Sequence, residues 1–210
     1  MTEIYYIIGN AYAGKSTMVR LLAERFGGIA CEENYHERLT DRRLDREEFP
    51  CLCYMRDLRD WREFIRRTPE EYAKWLDGTA KECEILELEI LEGLKEQERR
   101  IFVDTNISIE TLKRISDREH VLVMLADPEI SVSRFFERPD REKQFLYRLL
   151  TEEPDPDAAM DNFREMLKMV NSRERYDRFL NSGFKVLLRD DSRTVEETLE
   201  IAAKMLGLLK

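Results

Sequence analysis

Gly9, Asn10, Ala11, Tyr12, Ala13, Gly14, Lys15 and Ser16 fit the spacing G-x-x-x-x-G-K-[ST], with Thr17 following. Glycines at these positions let a loop fold with its backbone N–H groups turned inward, around phosphate oxygens. A helix opening at Lys15 would add the positive end of its dipole. Lys15 would then reach the β- and γ-phosphates of a nucleoside triphosphate, and the Ser16 hydroxyl would ligate magnesium. Asp104 closes a later apolar run, where an acidic residue approaches the same ion, usually through water. Ser16 and Asp104 are therefore the candidate metal residues.

Two further groups fit the chemistry of moving a phosphoryl group. Glu32 and Glu33 follow the second apolar run, and a carboxylate there can orient an acceptor hydroxyl and take its proton. Glu33 is the first choice and Glu32 the second. Arg134, Arg138 and Arg141 follow the fourth apolar run at spacings of four and three, which bring guanidiniums together if a helix persists. Forked arginines neutralise charge on a phosphoryl group in transfer, and a mobile arginine-bearing lid would exclude water. The acceptor would sit under the arginine- and aromatic-rich stretch from Asn34 to Glu98, with Tyr35 and Arg56 as candidate contacts.

The elements that must position these groups alternate along the chain. Ile4–Ile8, Ile29–Cys31, Ile101–Asp104, Val121–Ala126 and Phe184–Leu188 read as five short buried strands. Helical spacing covers Lys15–Phe26, which Gly27-Gly28 closes. It also covers most of His36–Glu98, broken near Pro50 and at Thr68-Pro69, where Thr68 to Glu71 form a capping-box pattern. Further helices are predicted over Ser108–Asp117, Pro128–Glu137, Arg141–Leu150, Ala158–Leu180 and Val195–Leu209. Strands alternating with helices imply α/β architecture, a parallel sheet covered on both faces in a three-layer domain.

The chain has 210 residues, which suits one domain over 1–210 with a helical insert at about 34–98 and a lid at about 134–157. Its net charge of −9 argues against nucleic-acid binding as the main task. No apolar run is long enough for a membrane helix. Met1–Gly9 does not read as a signal peptide. The four cysteines, Cys31, Cys51, Cys53 and Cys83, have no zinc-finger spacing and read as reduced thiols of a cytoplasmic protein. No guanine-reading N-K-x-D follows the glycine-rich loop.

On Gly9–Thr17, Asp104 and Arg134–Arg141, the chain resembles the nucleoside/nucleotide kinase-like group of P-loop proteins, which includes adenylate, shikimate and deoxynucleoside kinases. The resemblance covers the whole length in layout. It implies sheet order 2-3-1-4-5, a helical substrate-binding region between strands two and three, and an adenine site near Arg189-Asp190-Asp191-Ser192. It also implies ATP and Mg2+ as nucleotide and cofactor. The chain departs from shikimate kinases in having Asp104-Thr105-Asn106 where they carry a Gly-Gly. It lacks the acidic-Arg-Ser sequence of deoxynucleoside kinases. The expected activity is ATP-dependent phosphoryl transfer to a small acceptor, a nucleoside or nucleotide first. Another hydroxylated metabolite or an antibiotic is the alternative, and an ATP-controlled switch is a third reading. A monomer and a homodimer are equally consistent with the sequence.

Overall fold

The protein is described by a computed structural model that covers residues 2–39, 44–137 and 141–209. Five strands form one parallel sheet: β1 (Ile4–Gly9), β2 (Gly28–Cys31), β3 (Arg100–Asp104), β4 (Val121–Leu125) and β5 (Lys185–Leu188). Their order is β2-β3-β1-β4-β5, as the resemblance implied. β4 is buried at every position, and β1 from Ile4 to Ile8. Continuous apolar runs of this kind suit central parallel strands with helices on both faces. Register places Ile7 beside Asp104 and Gly9 beside Met124, so β1, β3 and β4 deliver their ends to one edge.

On one face lie α1 (Lys15–Phe26) and α10 (Val195–Met205), which bury Leu22, Leu199 and Ala202 against Ile7, Phe102 and Met124. The other face is covered by α4 (Pro69–Leu94), α5 (Ile109–Ile115) and α9 (Arg173–Leu180), packed on Ile8, Val103 and Val123. The expected capping box opens α4. The Thr68 hydroxyl accepts from the Glu71 N–H at 3.2 Å, and the Glu71 carboxylate accepts from the Thr68 N–H at 2.9 Å. This satisfies two backbone donors that a helix start otherwise leaves bare.

A third apolar cluster stands off the sheet. It joins α2 (Pro50–Asp57) and α3 (Trp61–Ile65) to α7 (Arg141–Thr151) and α8 (Pro156–Val170), around Phe64, Ile65, Leu150 and Phe163. The described part of the segment expected as a lid over about 134–157 is thus packed on the insert. Trp61 meets Phe145 edge-on at 5.6 Å, and Arg66 forks onto Glu153 at 2.7 and 3.0 Å.

Several helix ends differ from the sequence expectation. The single helix over 158–180 divides into α8 and α9. The Ser172 hydroxyl accepts from the Arg175 N–H and starts a new helix, while the Asn171 side chain bonds back to the Leu167 carbonyl. Both side chains offer the backbone a partner outside the ladder, which favours a break. The helix expected over 128–137 is α6 (Pro128–Ser133) followed by a 3-10 turn at Phe135–Glu137. α4 stops at Leu94 and passes through a 3-10 turn at Lys95–Gln97, short of Glu98. No helix among the described residues is long and apolar enough to cross a membrane. The four cysteines are free thiols.

Candidate active site

The loop between β1 and α1 takes the form its glycines allow. Gly9 has φ 135° and Gly14 φ 87°, both in the region that favours glycine. At Gly9 there is a second reason, because a Cβ would stand 1.8 Å from the Met124 carbonyl oxygen. Tyr12 also has positive φ, at 65°. Asn10 fastens the loop to the end of β4: its amide donates to the Ala126 carbonyl at 2.7 Å and accepts from the Ala126 N–H at 2.8 Å. The Ala11 carbonyl accepts from Ser131, and the Tyr12 hydroxyl donates to the Arg134 carbonyl at 2.7 Å. From the far side, Arg189 donates to the Tyr12 carbonyl at 2.6 Å and pairs with Asp191. Ala13 is buried beneath the loop, and Thr17 is exposed on the first turn of α1.

Lys15, Ser16 and Asp104 meet. The Ser16 hydroxyl donates to Asp104 Oδ2 at 2.7 Å, and Lys15 Nζ lies 3.7 Å from Asp104 Oδ1. Lys15 Nζ also donates to the Asn10 carbonyl at 3.2 Å. Burial pushes the Asp104 carboxyl above the usual carboxylate range. Lys15 and the Ser16 hydroxyl pull it back, and the Glu33 and Glu87 carboxylates add to the push. The described residues hold no cluster of three or more His, Cys, Asp or Glu able to bind a metal alone. The hydroxyl and carboxylate oxygens of Ser16 and Asp104 nevertheless fit Mg2+, a hard ion that takes one or two protein carboxylates and completes its shell with water and phosphate oxygens.

A cleft of about 630 Å3 opens from this loop across the sheet's edge. Lys15 and Tyr12 line it, and Glu33 lies on its wall just before a kink at Asn34, φ 66°. Glu32 is exposed and does not line the cleft. Tyr35 is buried against the sheet under the loop, and burial raises its phenol. Arg56 stays outside the cleft. It is exposed, and its guanidinium bonds Asp57 at 2.9 Å and the Leu44 carbonyl at 3.0 Å. Arg134 is exposed and lies 3.7 Å from Glu137, and Arg141 is exposed at the start of α7; neither lines the cleft. Arg138 lies outside the described residues.

Other basic side chains reach the cleft. Lys143 from α7 and Arg175 and Arg178 from α9 line the cleft, with Tyr72 and Trp75 from α4. Arg175 forks onto Asp77 at 2.7 and 2.8 Å, joining α9 to α4. Arg178 lies 3.6 Å from Glu110. The available sequence signal was the spacing of three between Arg175 and Arg178, which puts both on one helical face. It was hidden in a stretch that read as one long charged helix.

The floor of the cleft is held by a buried carboxylate. Glu87 of α4 is fully buried and accepts from the Thr105 hydroxyl at 2.5 Å, the Asn106 N–H at 2.8 Å and the Asn106 side-chain amide at 2.7 Å. His36 stands 3.4 Å from Glu87 on one side and 3.4 Å from the Cys83 sulfur on the other. Two more glutamates of α4 serve neighbouring turns. Glu82 accepts from the Cys51 and Leu52 N–H groups at the start of α2, and Glu84 from the Ser108 N–H at the start of α5. No family model matches the chain, and no curated protein matches it in sequence.

Proposed function

We propose that the protein transfers the terminal phosphoryl group of ATP to a hydroxyl of a small acceptor, a nucleoside or nucleotide first. One observation carries the reading: Lys15 of the phosphate loop and the Glu33 carboxylate line the same cleft of about 630 Å3. That volume suits a ligand of nucleoside size or larger, since small-molecule pockets run from about 300 to 1,000 Å3. Its aromatic residues, Tyr72 and Trp75, favour an acceptor with a planar group over a small aliphatic acid.

In this reading the backbone from Gly9 to Gly14 cradles the phosphates, and Lys15 holds the β- and γ-oxygens. Ser16 and Asp104 would hold magnesium, which supplies charge neutralisation on the phosphate oxygens. Glu33 orients the acceptor hydroxyl in line with the γ-phosphorus. The new oxygen–phosphorus bond forms as the bond to the β–γ bridging oxygen breaks, ADP leaves, and the hydroxyl proton passes to the Glu33 carboxylate. Lys143 of α7 and Leu167 and Val170 of α8 line the cleft, and closure of this wall over bound ATP would keep competing water out.

The test is magnesium-dependent ADP release from ATP across a panel of nucleosides, nucleotides and hydroxylated metabolites, with Lys15→Ala as the control. A large increase with one acceptor, absent in the control, is the expected outcome. Equal release by wild type and Lys15→Ala across the panel would refute it. Glu33→Gln should depress transfer while ATP affinity holds; an unchanged rate would remove Glu33 from the mechanism.

A further inference from the structure

Asn106 follows Asp104 by two residues and lines the cleft, yet its side chain is fixed from below by a residue on another element. Glu87 has no exposure to water, and its two oxygens accept from Thr105 and Asn106. The Asn106 amide presents its nitrogen to Glu87, at 2.7 Å. The Asn106 N–H donates to the second Glu87 oxygen, which also accepts a hydrogen bond from the Thr105 hydroxyl. Thr105 Oγ1 in turn accepts from the Ile107 N–H. The amide spends one of its two N–H groups on Glu87, and it cannot turn over without facing its carbonyl against a buried carboxylate.

What remains is the Asn106 carbonyl oxygen, with the second amide N–H beside it. The oxygen takes no donor from any described residue, and it belongs to a side chain on the cleft wall, two residues along the chain from Asp104. An acceptor-only oxygen there calls for a donor on the ligand. The cations of α9 point the same way. Arg175 spends two N–H groups on Asp77 and Arg178 lies 3.6 Å from Glu110, so both are already turned towards carboxylates, and Lys143 is the further cation on this wall.

We infer that Asn106 is a specificity-determining residue that accepts a hydrogen bond from a hydroxyl of an uncharged acceptor, its orientation set by Glu87. This rests on the phosphoryl-transfer reading and narrows it, favouring a neutral polyhydroxylated compound such as a nucleoside over its monophosphate. Glu87 acts through Asn106 and is a positioning residue.

The experiment measures kcat/KM on ribonucleosides, sugars and hydroxylated acids, each beside its singly deoxygenated counterpart and its monophosphate. It uses wild type, Asn106→Ala and Glu87→Gln, with Lys15→Ala as baseline and thermal melts to confirm folding. In wild type, deleting the hydroxyl that Asn106 reads lowers kcat/KM about tenfold, the effect of one lost hydrogen bond to a site that then keeps an unpaired group. In Asn106→Ala the same deletion lowers it less than about twofold. In Glu87→Gln, whose new amide both donates and accepts, Asn106 is held either way round and the discrimination shrinks in the same direction. A merely structural role for Asn106 would lower rates on every substrate alike and leave the ratio intact. The inference is overturned if Asn106→Ala discriminates as wild type does, or if a monophosphate outperforms its neutral parent. If no compound raises ADP release above the Lys15→Ala baseline, the phosphoryl-transfer reading itself fails and takes this one with it.

Discussion

Gly9→Ala separates two reasons for a glycine at the start of the phosphate loop. A Cβ at Gly9 would lie 1.8 Å from the Met124 carbonyl oxygen and 2.8 Å from its carbon, and Gly9 is the register partner of Met124. The β1 and β4 strands would have to part by roughly 1 Å or more, which a close-packed backbone resists. Parting them strips one or two ladder hydrogen bonds of about 1 kcal/mol each. An alanine held near φ 135° adds about 1–3 kcal/mol of backbone strain. The combined loss is about 2–5 kcal/mol, and at about 2–4 °C per kcal/mol the Tm falls by about 4–20 °C. Gly14→Ala is the control. It also has positive φ, but no atom lies within 4 Å of its would-be Cβ, so only strain of about 1–2 kcal/mol applies. Calorimetry or circular-dichroism melts of both variants decide the matter. At the middle of these ranges Gly9→Ala should lower Tm about twice as far as Gly14→Ala. Equal drops, or a larger one at Gly14, would refute the claim that close approach of β4 governs Gly9.

Three more outcomes follow from the same geometry. Asn10→Ala removes both hydrogen bonds to Ala126 and should cost about 1–3 kcal/mol in urea unfolding; a midpoint unchanged from wild type would count against that clamp. Thr68→Ala breaks the capping box of α4 and should cost about 1 kcal/mol, read as a Tm lower by about 2–4 °C. Burial first, and then the Glu87 and Glu82 carboxylates, push the Cys83 thiol up to about 12 from 9.0. Burial likewise pushes the Tyr6 phenol up to about 12 from 10.0. A raised folded value means the native state keeps the neutral form while the unfolded chain ionises first. Their contribution is whole below pH 9.0 and is lost as pH climbs from there towards 12. Urea midpoints should fall across that window, and Cys83→Ala should flatten the fall; a midpoint that rises would contradict the sign.

Local signals made most of the fold legible. The strands β1 and β4 are uninterrupted apolar runs, and Gly9 to Ser16 bring their own backbone requirements with them. Asp104 could be placed because it closes such a run. What stayed hidden depends on residues far apart in sequence. Glu87 sits among Glu82, Glu84 and Glu89 in a helix that reads as acidic and solvated, and only the fold brings it under Asn106. A carboxylate buried for the sake of three donors looks, in sequence, like any surface charge. Arg56 and Arg175 reverse roles for the same reason. Arg56 lies in the arginine-rich insert yet pairs with its neighbour Asp57, whereas Arg175 lies beyond the insert and reaches the cleft because Ser172 restarts the helix. The arginines after β4 were grouped on the assumption of a continuous helix, and the chain leaves that helix at Ser133.

The three glutamates of α4 make that helix an indexing shaft. Glu82, Glu84 and Glu87 each engage a different turn, at Cys51, Ser108 and Asn106. Successive residues of an α-helix are set about 100° apart, so one residue inserted upstream of Glu82 would swing all three away from their partners together. Length changes in this stretch are thereby forbidden singly, however neutral the inserted residue.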